Sequence, residues 1–118
     1  MARRPKLIAK PILPVNNMAK AAAFYRSLGF DVADYDPSYA WVEEDGEEIM
    51  HLRYAEGLNV ATNAASAYLH VQDADKWYAR VTAVLGGKVA PVVNTPWQMR
   101  EFTFADPSGN MIRVGQNI

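Results

Sequence analysis

The sequence predicts an α+β fold: two β-α-β-β-β modules forming a cupped mixed sheet. The main observation is a repeat within the 118 residues. ILPVNNMAKAAAFYRSLGF leads into YAWVEEDGEEIMHLRY, and AYLHVQDADKWYARVTAVLGG leads into REFTFADPSGNMIRVGQ. Each copy opens on an apolar strand ending in Val (Val15, Val71) and has a polar helix start (Asn17, Asp73). Each helix carries an aromatic pair (Phe24-Tyr25, Trp77-Tyr78), stops at Leu-Gly and is followed by a hairpin turn with Asp and Gly. Units of this kind bury their apolar faces only together, and the concavity between them is a natural ligand site. The expected organisation is one domain, with modules at about 7–55 and 66–116 and a linker at 56–65.

The elements follow in order. Residues 7–15 read as a strand interrupted by Pro11 and Pro14. Proline cannot donate to a ladder, so this strand belongs at a sheet edge or junction. Asn17 can cap a helix start by accepting from its free amides. Ala21, Phe24, Tyr25 and Leu28 then share one helical face. Gly29 suits the left-handed residue that ends a helix. Strands are expected at 30–35, 39–44 and 48–54, with Asp45-Gly46 as the hairpin turn. Residues 67–71 form the next strand. Asp73 caps a second helix with the stripe Ala74, Trp77, Tyr78, Val81 and Leu85, which Gly86-Gly87 ends. A short strand at 89–93, a turn at Asn94-Thr95-Pro96 and a hairpin of 99–105 with 111–115 complete the second module.

Composition excludes several classes of function. Half the residues are apolar and 21% are charged, as in an ordinary globular domain. The net charge of −1 gives no overall nucleic-acid footprint. Arg3, Arg4, Lys6 and Lys10 form a short basic cluster that reads as a solvated arm. No long apolar run predicts a membrane span or a signal peptide. With no cysteine there are no disulfides, thiolate ligands or Cys nucleophiles, which suits a cytoplasmic location. No phosphate loop or nucleophile elbow is present.

Three segments, AFYRSLGF (23–30), YAWVEEDGEEIMHL (39–52) and FADPSGNMIRV (104–114), resemble the vicinal oxygen chelate superfamily. That superfamily includes glyoxalase I, extradiol dioxygenases, fosfomycin-resistance enzymes and bleomycin-resistance proteins. TPWQMREF (95–102) and the RVGQNI ending (113–118) look most like the bleomycin-resistance branch. The resemblance implies the paired-module fold and a homodimer whose ligand grooves draw on both subunits. It also implies sequestration of a glycopeptide drug without chemical change to it.

The superfamily's enzymes hold a divalent metal with His and Glu side chains from four strands. Register from Val15, from Val71 and from the DPSGN turn puts Lys10, Ser66 and Arg113 at three of those positions, and His51 near the fourth. Lys and Arg are donors only, so the sequence predicts no metal and no other cofactor. The alternative reading is a metal-dependent lyase, dioxygenase or thiol transferase. His70 is the only other histidine. The expected groove is walled by Trp97 and Trp41, with Tyr39, Met99 and Phe104 adding apolar surface. Tyr68, His51, Glu101 and Arg113 supply polar contacts. Core burial is the plainer reading for each aromatic except Trp97, which follows a Pro in a turn. Trp77 is read as core. Arg113, if it faces the cup, needs Glu101, Glu43 or an anionic ligand as partner, because an unpaired charge is costly. The acidic run Glu43, Glu44, Asp45, Glu47, Glu48 reads as a solvated hairpin tip.

Overall fold

The computed structural model describes residues 7–118, so Arg3, Arg4 and Lys6 of the basic cluster lie outside the described residues. The chain runs β1 (Ile12–Val15), α1 (Met18–Ser27), β2 (Asp31–Asp36), β3 (Tyr39–Glu44) and β4 (Glu47–Tyr54). The second module repeats this with β5 (Ser66–His70), α2 (Ala74–Leu85), β6 (Val93–Asn94), β7 (Met99–Ala105) and β8 (Met111–Asn117). The two four-stranded sheets have orders β1-β4-β3-β2 and β5-β8-β7-β6, the same topology twice. The first strand of each module pairs parallel with its last, and the remaining pairs are antiparallel.

Local chemistry accounts for the boundaries. The Asn17 side chain accepts from Lys20 N at 3.0 Å, and that of Asp73 accepts from Lys76 N at 3.1 Å. Each cap satisfies a helix-start amide that has no partner inside the helix. Asp45 and Gly46 both have positive φ, 50° and 77°, as a tight hairpin turn requires. Two expected strands are shorter than predicted. Pairing of β1 begins at Ile12, just past Pro11, whose carbonyl accepts from His51 N. Of residues 89–93 only Val93 enters a ladder, because Pro91 interrupts the run and has no N–H. Both β1 and β5 are edge strands.

Alternate residues of each sheet enter one shared core. Leu13, Val15, Ala40, Val42, Met50 and Leu52 come from the first sheet, and Ala67, Phe102, Phe104, Ile112 and Val114 from the second. Tyr25 and Leu28 of the first helix segment and Val81 of α2 join them. Phe30 stacks on Trp77 at 5.6 Å between ring centroids, and Arg80 lies over Trp77 at 4.2 Å. Trp77 therefore does belong to the seam between modules.

The DPSGN turn closes one side of this seam. Asp106 accepts from Ser108 N, Asn110 N, Asn110 Nδ2 and the Tyr25 hydroxyl, the last at 2.7 Å. Asn110 Nδ2 also donates to Pro14 O, and the Ser108 hydroxyl pairs with Asn16. From the linker, Asn63 donates to Ser108 O and Asn110 Oδ1. Burial, and then Asp106, push the Tyr25 hydroxyl pKa well above its ordinary value. On the other side Arg80 donates two hydrogen bonds to Glu44, both at 2.8 Å. That side keeps a cavity of about 770 Å³ between the EEDGEE hairpin and the start of α2.

Candidate functional site

A strand sends alternate side chains to opposite faces. The faces turned away from the core are where the candidate residues gather. On the first sheet Trp41 of β3 stands opposite His51 of β4, and Ile12 of β1 opposite His51 on its other side. Tyr39 lies two residues from Trp41 on the same face. Tyr35, Trp41, Tyr39 and His51 make a continuous aromatic belt, with ring centroids 5.7, 6.1 and 5.3 Å apart in that order. Tyr35 is 70% exposed. It extends the wall beyond what sequence reading found, because it lies two residues from Ala33, which stands opposite Trp41.

His51 is oriented on both sides. Its Nε2 bonds Glu48, and its Nδ1 lies 2.6 Å from the Tyr39 hydroxyl. A carboxylate only accepts, so Nε2 carries a proton and donates to Glu48. The bond from His51, and then its charge and that of Lys10, hold the Glu48 carboxyl below its ordinary pKa. Lys10 Nζ lies 3.6 Å from the same carboxylate.

On the second sheet the open face carries Tyr68 of β5, Arg113 and Gly115 of β8, and Met99, Glu101 and Thr103 of β7. Arg113 pairs with Tyr68 on one side and Thr103 on the other. Glu101 is 6% exposed yet belongs to this face. Its Oε2 accepts from the Tyr68 hydroxyl at 2.8 Å and from Trp97 Nε1 at 3.2 Å. Its Oε1 lies 4.0 Å from Arg113 Nε. The expected partner of Arg113 is thus Glu101 rather than Glu43. The Tyr68 hydroxyl is pushed up to about 12, first by desolvation and then by Glu101. Trp97, in the turn before β7, is 60% exposed.

Phe104 does not join this surface. It is buried, stacks with Phe102 and lies near Phe24, so its place among the groove residues is corrected to the core. Met99 and Phe104 lie five residues apart on one strand, and period two sends them to opposite faces. Nor do Trp41 and Trp97 hold matching places. The counterpart of Trp41 opposite the last strand of its module is Thr103.

The residues at the family's metal positions do not fit a divalent ion. Two of them are cations, with Lys10 against Glu48 and Arg113 facing Glu101. Among the described residues no group of three or more His, Asp or Glu side chains converges on one point.

Within one chain the two faces are separate surfaces. Among the described residues no hydrogen bond, ion pair or aromatic contact joins the Trp41–His51 face to the Tyr68–Glu101 face. Apolar side chains stay open on or beside both, with Ile12, Tyr68 and Met111 each at least 44% exposed. No described helix is long and apolar enough to cross a membrane.

Three solved structures share this architecture. A bleomycin-binding protein complexed with bleomycin superposes with a TM-score of 0.86 at 22% identity, covering 96% of this chain and 100% of that one. A bleomycin resistance determinant encoded on the transposon Tn5 gives 0.84 at 23% identity, over 95% and 98% of the two chains. TnmS3, an antibiotic binding protein from Streptomyces sp. CB03234, gives 0.72 at 26% identity, over 98% and 100%. Among curated protein sequences none matches. The family model for the Glyoxalase/Bleomycin resistance protein/Dioxygenase superfamily matches residues 7–114. With the repeated β-α-β-β-β order and the DPSGN seam, that match means that the chain belongs to this superfamily.

Proposed function

We propose that this protein binds an antibiotic of the bleomycin type and sequesters it without altering it. The observation that carries this reading is the pair of aromatic faces turned away from the core. Each presents flat rings backed by fixed polar groups, and among the described residues neither holds a constellation suited to metal chemistry. Flat aromatic walls bind planar groups over a large area at little entropy cost. The structural neighbours bind bleomycin or another antibiotic, which supports the ligand class.

The active form in this reading is a homodimer in the cytoplasm. The Trp41–His51 face of one copy meets the Tyr68–Glu101 face of the other, which gives two equivalent grooves. Twofold assemblies use the same patches on both subunits, and here the edge strands β1 and β5 bring their half-sites together. The open apolar side chains at Ile12, Tyr68 and Met111 support this arrangement.

Calorimetric titration with bleomycin, alongside sedimentation, tests the reading. Saturable binding of one drug per subunit to a dimer is expected. A protein that stays monomeric at micromolar concentration and takes up no drug overturns it.

A further inference from the structure

The glycine at 115 has a specific use. Its φ is not positive, so no turn demands it. A Cβ built there would lie 1.9 Å from the Tyr68 hydroxyl oxygen and 3.2 Å from Glu101 Cγ. Tyr68 starts on β5, crosses β8 in the space a side chain would fill, and donates to Glu101 on β7. Glu101 in turn accepts from the indole N–H of Trp97. An exposed ring in a turn is thereby tied to a buried carboxylate, which is itself tied to a third strand.

Both of these bonds fall on one oxygen, Oε2. Among the described residues the other, Oε1, has only Arg113 at 4.0 Å, beyond hydrogen-bond distance, and the Arg113 side chain is 53% exposed. The carboxylate is fixed and more than nine-tenths buried, while its cationic neighbour can turn into water at little cost. An anionic ligand group arriving here would sit against a buried negative charge. A donor would complete it, and hydrogen bonds to an ionised acceptor are the strong ones.

We infer that Glu101 is the recognition residue of this half-site: Oε1 takes an N–H donor of a protonated planar ligand whose ring lies on Trp97, and Gly115 and Tyr68 position it. The inference rests on the proposed drug-binding function, and it names the chemical class selected there: planar cations with an N–H at the ring edge.

The test compares a protonated aminoacridine with uncharged acridine, the same shape without the donor, by calorimetry on the full-length protein, with bleomycin titrated in parallel. The aminoacridine is expected to bind at least about tenfold tighter. Glu101→Gln should erase that preference while retaining acridine binding. Equal affinities in the wild type, or a preference that survives Glu101→Gln, overturns the inference. If bleomycin binds and the preference is absent, the inference falls and drug binding stands. If neither bleomycin nor the acridines bind, both fall.

A ligand-free readout separates positioning from bulk stability. The Trp97 indole proton should move away from its hydrogen-bonded chemical shift in Tyr68→Phe and in Gly115→Ala, with the other two indole protons unmoved. Tyr68→Phe keeps the ring and serves should Gly115→Ala fail to fold. An unmoved Trp97 signal in Tyr68→Phe overturns the positioning role.

Discussion

Replacing Asp106 with Ala tests what holds the two modules together. Four donors lose their acceptor at once: the Tyr25 hydroxyl, Asn110 Nδ2 and the amides of Ser108 and Asn110. They are not equally harmed. Asn110 Nδ2 keeps Pro14 O at 2.8 Å. Tyr25 is fully buried, so its hydroxyl is left without a partner, at about 1–3 kcal/mol. Losing the two turn amides adds roughly 1–1.5 kcal/mol each. The sum, about 3–6 kcal/mol, is a large part of the roughly 5–15 kcal/mol that stabilises a domain of this kind. At about 3–6 °C per kcal/mol for this chain length, Tm should fall by roughly 10–35 °C. Tyr25→Phe leaves Asp106 with three donors and should cost only about 1–2 kcal/mol. The double variant is the discriminating measurement. With Asp106 gone, Tyr25→Phe removes the orphaned hydroxyl and should be neutral or stabilising, so the two effects are strongly non-additive. Denaturant unfolding showing simple additivity, or a loss below about 1 kcal/mol for Asp106→Ala, would refute the view that this carboxylate closes the seam.

Other outcomes follow from the same coordinates. Gly109→Ala should destabilise strongly, since φ is +87° and the new Cβ would meet Val60 O at 2.5 Å; thermal melts decide this. Trp97→Ala should weaken drug binding by roughly 1–3 kcal/mol in calorimetry and leave Tm nearly unchanged, because the ring is exposed; unfolding of the variant would place Trp97 in the core instead. Acid should destabilise the protein in a definite direction. Hydrogen bonds from Arg80 lower the Glu44 pKa below 4.5, so between the two values the unfolded chain binds more protons. Stability is then complete above pH 4.5 and declines as pH falls through the folded pKa, and Glu44→Gln should flatten that slope in melts across pH. In alkali, Tyr25 and Tyr68 have raised pKa values, so stability present below pH 10 is lost progressively above it, and Tyr25→Phe should reduce the loss.

Sequence reading was strongest where the determinant is local. Asn17 and Asp73 announce their helices because capping needs only a side-chain oxygen and an amide three residues on. Asp45-Gly46 announces its hairpin because few residue pairs accept two positive φ angles. Trp41, His51, Tyr68, Glu101 and Arg113 all lie on faces turned away from the core, as alternation along their strands requires. What stayed hidden depends on contacts between strands. Nothing local marks Gly115 as the gap through which Tyr68 crosses. Tyr35 joins the belt only once the pairing of Ala33 with Trp41 is known. The linker carries no clear period, yet Asn63 holds the DPSGN turn from outside. Phe104 could have been placed correctly by strict alternation along β7, where Glu101 and Thr103 define the other face.

The DPSGN plug also bears on synthesis. Its partners are distant in the chain: Asp106 follows Tyr25 by 81 positions, and Asn110 follows Pro14 by 96. On the ribosome the first module therefore emerges with its Tyr25 hydroxyl and its β1–α1 junction unpartnered. They remain so until nearly all of the described chain has been made. During that interval the nascent chain exposes the apolar helix face that its own hairpin will later cover, and it is then a candidate for chaperone contact. Stalled chains cut short before residue 106 should be protease-sensitive throughout, with no protected N-terminal half.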